Sequence, residues 1–320
     1  MTYRLFISNS LNPYHNLAIE ERLLHEVGDD ELILYLWRNE KTVVIGRNQN
    51  IYAEVNLKEL EKVGGYPTRR LSGGGAVYHD EGNINFTFVA QTPHFNTERQ
   101  TEIVLNAIRS LGFDAQKTGR NDLTIDGRKF SGHSFYKTGN RQFHNGTVLI
   151  NTNQEIMSKV LTPSIEKLQS KGVKSVRSRT VNLAELDPSI TWKTVQDALI
   201  QSFKDYILFE GNNQQLTVNS QRSTINGQKL ELELESESTV RVTNATHRLT
   251  DFEYRDFIFN KIADFTIEKT LHTDNGNVTL HLLIENEIIK DVQIFTDSLN
   301  TDISTLRDSL LNKKINEIEF

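Results

Sequence analysis

The most informative part of the chain is the run Arg69-Arg70-Leu71-Ser72-Gly73-Gly74-Gly75-Ala76-Val77-Tyr78-His79-Asp80. It places two permanently charged guanidinium groups shortly before three consecutive glycines. Glycine allows positive φ angles and lets a ligand approach the main chain closely, and consecutive exposed N–H groups form an anion-binding nest. The run therefore predicts an anion site, although a flexible surface turn with two solvated arginines has the same composition. Its spacing fits neither the P-loop nor the dinucleotide-binding fingerprint.

The residues that follow predict a strand and a hairpin. Ile84 to Ala90 alternates like a half-buried strand. Further along, Asp126-Gly127 is a pair that favours a two-residue primed turn. Such a turn would place Arg128, Lys129 and Ser131 on the returning strand, with Lys129 and Ser131 on the same face.

At this point the chain resembles a known family, the bacterial-type lipoate–protein ligases of the biotinyl/lipoyl protein ligase superfamily. The motifs that carry the resemblance occur in the family's order. They are Arg70 to Asp80, Gly119-Arg120-Asn121-Asp122, Gly127-Arg128-Lys129 with Ser131-Gly132, Phe143-His144-Asn145-Gly146-Thr147, and Lys171 to Arg179. One departure is His133, where family members commonly carry small residues; its bulk could narrow the pocket, alter acyl choice or point outward.

The resemblance implies an α+β fold. Its large domain would have a mixed, mostly antiparallel sheet packed by helices, and a small α+β accessory domain would follow at the C-terminus. Composition changes near Leu249, so we place the catalytic domain at 1–248 and the accessory domain at 249–320. The implied reaction has two steps: lipoate and ATP give lipoyl-adenylate and pyrophosphate, and the adenylate then acylates the ε-amine of a lysine on an apo lipoyl domain.

This reaction needs fixed cations. A carboxylate and a phosphate about 4 Å apart repel each other by roughly 4 kcal/mol at an effective dielectric constant of 20. Lys129 is the predicted catalytic residue, because on the family pattern it contacts both the acyl carbonyl and the α-phosphate. Taken in isolation, a lysine in a Gly-Arg-Lys hairpin would instead be a solvated surface residue.

The resemblance also assigns the ligand contacts. Arg70 would bind phosphate, the glycines would allow close main-chain approach, and Gly75 to Tyr78 would hold the adenine. Asn121 and Asp122 would bind phosphate and Mg²⁺, with Asp122 as the metal ligand, although a plain turn is the alternative. The predicted ATP and lipoate contacts are Arg70, Ser72, Gly73, Gly74, Gly75, Ala76, Val77, Tyr78, Asn121, Asp122, Lys129, His144, Gly146, Arg177 and Arg179.

Two further features concern the acyl group and the intermediate. Trp37, Leu71 and Val77 are predicted walls of an apolar slot for the alkyl arm of lipoate, where burying about four methylenes contributes roughly 3 kcal/mol. Such a slot would also accept octanoate. The segment from Lys171 to Arg179 carries several cations and no acid. It is either a solvated surface or, by resemblance, a loop that orders over the adenylate and excludes water.

His79 and His144 allow two interpretations. Neither stands at a metal-ligand spacing such as His-Glu-x-x-His, and a packed, hydrogen-bonded histidine is a commoner outcome than a general base. His144 nevertheless lies within a family motif, so we expect it near the acyl pocket.

Composition excludes several classes of protein. A formal net charge of −6 argues against a general nucleic-acid binder. No apolar run reaches the ~18–20 residues that span a bilayer, and the first residues do not resemble a signal peptide, so we expect a cytoplasmic protein without membrane attachment and a monomer. The absence of cysteine excludes the thioester chemistry that some lipoyl and octanoyl transferases of the fold family use.

The remaining segments predict regular elements. Strands are predicted at 3–7, 31–38, 42–46, 265–272, 277–285 and 288–295, and helices at 13–26, 56–63, 98–111, 154–160, 164–171, 191–206 and 301–311.

Three functional classes are compatible with these residues. The leading one is an ATP-dependent lipoate–protein ligase. The second is an enzyme that transfers lipoyl or octanoyl groups between proteins without ATP, or a biotin-type ligase. The third is a non-catalytic paralogue that only binds lipoyl domains. The implied partners are apo lipoyl domains of 2-oxoacid dehydrogenase complexes or the glycine-cleavage H protein, which are often acidic and would need a local basic patch.

Overall fold

The computed structural model describes residues 1–49, 51–119, 121–162, 180–210, 222–225, 228–234, 257–258, 267–273, 276–285, 288–296 and 303–314. The chain divides into two compact units, Met1–Ile258 and Phe259–Phe320. The domain boundary predicted near Leu249 lies outside the described residues and stays a prediction. The same holds for Arg177, Arg179 and the helix predicted at 164–171.

The first unit contains twelve strands and seven helices among its described residues. The strands are β1 (Thr2–Ile7), β2 (Glu31–Trp37), β3 (Thr42–Ile45), β4 (Tyr66–Arg69), β5 (Val77–His79), β6 (Asn83–Gln91), β7 (Gln116–Thr118), β8 (Asp122–Ile125), β9 (Arg128–Thr138), β10 (Arg141–Leu149), β11 (Arg222–Ile225) and β12 (Gln228–Leu234). The helices are α1 (Pro13–Glu26), α2 (Ile51–Glu54), α3 (Leu57–Lys62), α4 (Thr97–Ser110), α5 (Gln154–Val160), α6 (Leu183–Leu186) and α7 (Trp192–Glu210).

Nine of these strands form one large sheet, in the spatial order β11-β12-β1-β2-β6-β10-β9-β8-β7. Strand β1 runs parallel to both β2 and β12, and the other neighbours are antiparallel. The predicted fold class, a mixed and mostly antiparallel sheet, is confirmed. Strands β11 and β12 are not among the predicted strands, although Leu230, Leu232 and Leu234 alternate and follow an Asn-Gly pair.

Helices cover both faces of this sheet. On one side, which we call the α4 face, Ile84, Phe86 and Phe88 of β6 join a core cluster with residues of α4 and α7. On the other side, the α1 face, α1 lies against β2, β6 and β10. All nine residues of β6 are therefore buried, and the prediction of a half-buried strand was wrong because it allowed for only one covered face.

Helix α1 begins where the sequence predicts. Asn12 caps it, accepting hydrogen bonds from the amides of Tyr14 and His15, and Pro13 occupies the first turn. One residue on the buried side of this helix is charged: Glu20 is 1% exposed.

A second, three-stranded sheet has the order β4-β3-β5. Strand β3 is parallel to β4 and antiparallel to β5. The arginine and glycine run spans this sheet: Arg69 ends β4, Val77 begins β5, and residues 70–76 form the loop between them, which we call the glycine loop.

The second unit is an antiparallel sheet of β13 (Ile267–Thr273), β14 (Gly276–Glu285) and β15 (Ile288–Thr296) with helix α8 (Ile303–Leu310). Its core contains Val278, Leu280, Leu282, Ile289, Val292 and Leu310. The three strands and the helix predicted for this part of the chain are confirmed. None of the helices described in either unit is long and apolar enough to cross a membrane.

Candidate functional site

The glycine loop presents free main-chain donors. None of the amide N–H groups of residues 73–76 donates a hydrogen bond to another described residue. Gly74 has a φ of +93°, and a Cβ built on Gly73 would meet only open space. A Cβ on Gly46 would lie 2.0 Å from the carbonyl oxygen of Gly74, so the chain at the end of β3 supports the loop from behind. Consecutive unpaired amides of this kind are suited to an anion.

Arg70 braces the loop from inside. Its side chain is buried, and its Nη2 donates to the carbonyl oxygens of Gly73 and Gly75 at 2.6 and 2.9 Å. Its Nη1 donates to the carbonyl of Val44 at 3.1 Å. Burial lowers the pKa of Arg70 to about 10, opposed by the charge of Glu20, so the guanidinium stays cationic at neutral pH. Because Arg70 holds the loop carbonyls, the neighbouring amides are left for a ligand.

The hairpin between β8 and β9 carries Lys129. Asp126 and Gly127 both have positive φ, +50° and +72°, which is the primed two-residue turn that the sequence predicts. The pairing then shifts: Thr124 stands opposite Lys129, but Leu123 stands opposite Ser131. Phe130 is the extra residue of a β-bulge and is buried in the core cluster.

This bulge changes which residues share a face with Lys129. Ser131 stands opposite Val148 of the core cluster and hydrogen-bonds to His133, so it lies on the α4 face. A Cβ on Gly132 would lie 2.7 Å from the Nζ of Lys129. The prediction that Lys129 and Ser131 share a face was therefore wrong. Because of the bulge, Lys129 shares its face of the sheet with Gly132 instead.

Lys129 forms an ion pair with the neighbouring strand β8. Its Nζ lies 2.7 Å from Oδ1 of Asp122, the residue opposite Gly132. Asn121, which precedes Asp122 in the chain, and Thr180 carry buried side-chain oxygens, Oδ1 and Oγ1, that form no hydrogen bond with another described residue. Thr180 bridges to Lys129 through the backbone, and the Lys129 carbonyl accepts from Val181 N. The described residues contain no cluster of three or more metal-binding side chains.

The glycine loop and the Lys129 strand meet on the α1 face. The hydroxyl oxygens of Ser72 and Ser134 are 2.8 Å apart. Ser134 lies two residues beyond Gly132 on the same face of β9, and two such residues are about 7 Å apart. The structure therefore brings Arg70, the glycine loop, Asn121, Asp122 and Lys129 to one region.

Two predicted ligand residues lie elsewhere. His144 and Gly146 alternate with Asn145 along β10 and face the α4 side. There His144 hydrogen-bonds to Gln100 and His133, and a Cβ on Gly146 would lie 2.4 Å from the Phe86 ring. His133 also lies on the α4 face, beside His144 and Phe86. It therefore neither narrows the pocket on the α1 face nor points outward.

His79, His133 and His144 are neutral packing residues in this structure. Burial, followed by the charges of Lys129 and Lys117, lowers the pKa of His133 to about 3. Burial, followed by the Arg70 charge, does the same for His79, whose Nδ1 lies 3.4 Å from the Asn39 amide. The interpretation of His79 and His144 as buried, hydrogen-bonded residues agrees with these contacts.

The predicted pocket walls have different environments. Trp37 is buried on the α1 face, where its Nε1 donates to Oγ1 of Thr87 at 3.2 Å. Leu71 and Val77 are half-buried in or beside the glycine loop. Tyr78 is buried and has a raised pKa, chiefly because of burial.

Glu20, which lies on the same α1 face, is not among the site residues that the sequence predicts. Its Oε1 accepts hydrogen bonds from Thr87 at 2.7 Å and Asn145 at 3.0 Å. Burial raises its pKa, and the two hydrogen bonds and Arg70 act in the opposite direction. The available signal was its position on α1, where it falls at helical spacing within an otherwise buried stripe that includes Asn16, Leu17, Leu23 and Leu24.

Comparison with known proteins defines the class first. Residues 12–204 match the family described as lipoyl protein ligase A/B catalytic domain, and residues 263–320 match the bacterial lipoate protein ligase C-terminus. The chain belongs to the lipoate–protein ligase family. This confirms the family and the activity that the motifs predict.

Individual relatives match over nearly the whole chain. Lipoate-protein ligase A of Psychrobacter cryohalolentis is 36% identical over 98% of this chain and 89% of its own length. Lipoate-protein ligase A of Bdellovibrio bacteriovorus is 36% identical over 97% and 88%. The crystal structure of P. falciparum LipL1 in complex with lipoate superposes with a TM-score of 0.70, at 30% identity, covering 98% of this chain and 90% of that one.

Proposed function

We propose that this protein activates lipoate with ATP and attaches it to lysine residues of lipoyl domains. In the first step a lipoate carboxylate oxygen bonds to the α-phosphorus and pyrophosphate leaves. In the second, a lysine ε-amine attacks the acyl carbon, an amide forms and AMP leaves. The membership of the chain in a lipoate–protein ligase family supports both steps.

The observation that carries the proposal is the meeting of the glycine loop with the Lys129 strand through Ser72 and Ser134. This contact brings a cation and a row of amides that no described residue engages to the same side of the sheet, as the first step requires. The amides of residues 73–76 would hold phosphate oxygens. Lys129 would exchange its contact with Asp122 for the α-phosphate and the acyl oxygen, lowering the repulsion between the two anions.

Arg70 acts indirectly in this scheme. Four of its donor contacts go to main-chain carbonyls of Val44, Gly73 and Gly75, so we assign it to shaping the loop as well as to supplying positive charge.

The residues near Lys129 also fit Mg²⁺. This ion takes hard oxygen ligands, usually one or two carboxylates together with phosphate oxygens and water. The Asp122 carboxylate would hold it, together with the buried Oδ1 of Asn121, which hydrogen-bonds to no described residue. Bound there, it would neutralise charge on the phosphates.

The acceptors in this proposal are apo lipoyl domains of 2-oxoacid dehydrogenase complexes or the glycine-cleavage H protein, and the reaction takes place in the cytoplasm. The alkyl arm would lie along the α1 face near Trp37, Leu71 and Val77. An apolar slot discriminates between such near-isosteres by only about 1–3 kcal/mol, so both lipoate and octanoate belong in the assay.

The first test replaces Lys129 with alanine and measures lipoate-dependent exchange between ATP and pyrophosphate. We expect exchange to fall by at least 100-fold, because the cation between the two anions is lost. The melting temperature should change little, since Lys129 and Asp122 are 39% and 46% exposed and such pairs contribute at most about 1 kcal/mol.

The matched control is Lys137→Ala, an exposed lysine of the same strand, which should keep normal exchange. Assays with lipoate, octanoate and biotin separate the possible acyl substrates. Near-normal exchange in the Lys129 variant would refute the role of Lys129, and wild-type protein inactive with all three acids would refute adenylation itself.

A further inference from the structure

A continuous chain of hydrogen-bonded side chains crosses the α1 face and ends at the glycine loop. From the loop it passes from Ser72 to Ser134 at 2.8 Å, from Ser134 to Asn145 at 2.5 Å, and from Asn145 to Glu20 at 3.0 Å. A branch joins Glu20 to Thr87 at 2.7 Å and Thr87 to Trp37 at 3.2 Å. The chain thus links the loop, four strands of the large sheet and helix α1.

The chemistry of its members fixes the direction of every bond. The Asn145 amide nitrogen donates to Glu20, so the Asn145 oxygen faces Ser134 and accepts its proton. Ser134 has then used its only proton, and the bond to Ser72 requires Ser72 to donate. On the other branch the Trp37 indole can only donate, so Thr87 also directs its proton to Glu20.

Glu20 is therefore the acceptor at which both branches end. With the described residues its carboxylate forms no ion pair, and the only hydrogen bonds of the carboxylate are those from Thr87 and Asn145. A carboxylate at this depth costs free energy that an apolar residue would avoid. We therefore look for the role of Glu20 in the hydrogen-bonded side chains that it orients.

Ser72 is the residue through which the hydrogen-bonded chain connects to the glycine loop. It is fully buried, its carbonyl oxygen accepts from the Arg47 amide at 2.9 Å, and its hydroxyl is tied to Ser134. The next residue, Gly73, begins the row of free amides. Ser134 lies on the strand that carries Lys129. The Ser72–Ser134 contact therefore sets the position of the loop relative to Lys129.

We propose that Glu20 is a positioning residue for the adenylation site: through Asn145 and Ser134 it fixes the direction of the Ser72 hydroxyl and anchors the glycine loop beside Lys129. The inference rests on the proposed function, because there the loop binds ATP. Loss of Glu20 should weaken ATP binding more than it slows the chemical step.

The test is a double-mutant cycle in the full chain with Glu20→Ala and Ser134→Ala, read out by KM for ATP in the exchange assay and by urea unfolding. Each single variant should raise KM for ATP about tenfold and change kcat by less than about threefold. The double variant should also show about a tenfold rise, because either change breaks the same chain. The shifts in urea midpoint should likewise fail to add.

Two controls separate positioning from general damage. Glu20→Gln keeps an oxygen that can accept from Thr87 and Asn145, so its KM should stay within about twofold of wild type. Ser131→Ala removes a buried hydroxyl from the α4 face of the same strand, and its effects should add to those of Glu20→Ala.

Multiplicative KM effects in the double variant, with additive midpoints, would overturn the proposal, as would a Glu20→Gln variant as impaired as Glu20→Ala. If Glu20→Ala does not fold, the Asn145→Leu variant decides: a normal KM for ATP overturns the proposal, and a tenfold rise supports it. If the wild type shows no exchange, the proposed function has failed, while the urea cycle still decides whether Glu20 and Ser134 are coupled.

Discussion

Two glycines on neighbouring strands show how differently a single methyl group would act. A Cβ on Gly132 would lie 2.7 Å from the Lys129 ammonium, whereas a Cβ on Gly146 would lie 2.4 Å from the Phe86 ring and 2.9 Å from the Gly132 carbonyl oxygen. A methyl group on residue 132 would meet the end of a flexible side chain at the site. A methyl group on residue 146 would meet a packed core side chain and the backbone.

We therefore predict that Gly132→Ala impairs activity, whereas Gly146→Ala impairs stability. Gly132→Ala should displace the ammonium and lower ATP–pyrophosphate exchange about 100-fold, with unfolding free energy changed by less than about 1 kcal/mol. Gly146→Ala should cost about 1–3 kcal/mol through overpacking. Exchange kinetics and urea unfolding on both variants check this. A Gly132→Ala variant with full exchange would contradict the position of Lys129.

Glu20 allows a prediction about pH. Its pKa is raised in the folded state, mainly by burial and slightly by Glu21, while Thr87, Asn145 and Arg70 oppose the rise. When an acidic group has a higher pKa in the folded state, the folded state binds its proton more tightly. The protein therefore loses stability as pH rises above the pKa of that group in the unfolded state.

Glu20→Gln does not titrate, so its stability relative to wild type should increase between pH 5 and pH 8. Urea midpoints at both pH values measure this difference. A relative stability of the variant that falls over this interval would show that the carboxylate is stabilised by its surroundings when ionised, contrary to the direction of its pKa shift.

At the scale of elements, β9 and β10 are joined on the α4 face by a pair of histidines. His144 Nε2 lies 2.9 Å from His133 Nδ1, and His133 Nε2 lies 3.1 Å from Ser131. Burial lowers both pKa values, and the charges of Lys117 and Lys129 lower that of His133 further, to about 3. Neutral rings thus hold the two strands together.

These histidines should make the protein sensitive to acid. A group with a lowered folded-state pKa loses its stabilising effect as pH falls below its unfolded pKa of about 6.5, because only the unfolded state takes up the proton there. Each such group contributes up to about 1.4 kcal/mol per pH unit. His133→Gln should therefore flatten the loss of stability between pH 6 and pH 4.5. A slope identical to wild type would mean that His133 is already protonated in the fold.

The same strands show how far sequence analysis reaches. Local signals located the Asp126-Gly127 turn, the Asn12 cap and most element boundaries, because turns and caps depend on adjacent residues. The bulge at Phe130 depends on how β9 must pair with both β8 and β10, and no local pattern in the sequence specifies it. The prediction that Lys129 and Ser131 share a face was consequently wrong, and the orientation of His133 was left open.

Arg69 and Arg70 show the same limit at the scale of the whole molecule. Adjacent in sequence, they look equivalent, because the run predicts an anion site without distinguishing its two cations. Arg70 braces the glycine loop. Arg69 is 3% exposed and donates to main-chain carbonyls from two distant segments: Gly46, Arg47 and Gln49 on one side, and Phe257 and Ile258 on the other. Only the tertiary structure distinguishes these roles.

Arg69 thus fixes the last described residues of the first unit to the turn that supports the glycine loop. The bonds to Phe257 and Ile258 are 2.7 and 2.8 Å, and those to Arg47 and Gln49 are both 2.7 Å. A guanidinium can serve this many acceptors because its five donors are spread over a rigid plane, whereas an ammonium has three donors at one point.

We therefore predict that Arg69→Lys destabilises the protein by about 2–6 kcal/mol, since two buried carbonyl groups lose their donors at about 1–3 kcal/mol each. Urea unfolding measures this loss. Arg38→Lys is the control, because Arg38 stacks on the partly exposed Trp192 ring at 3.8 Å and should cost less than about 1 kcal/mol. Equal and small losses in both variants would show that segments 46–49 and 257–258 hold their positions without Arg69.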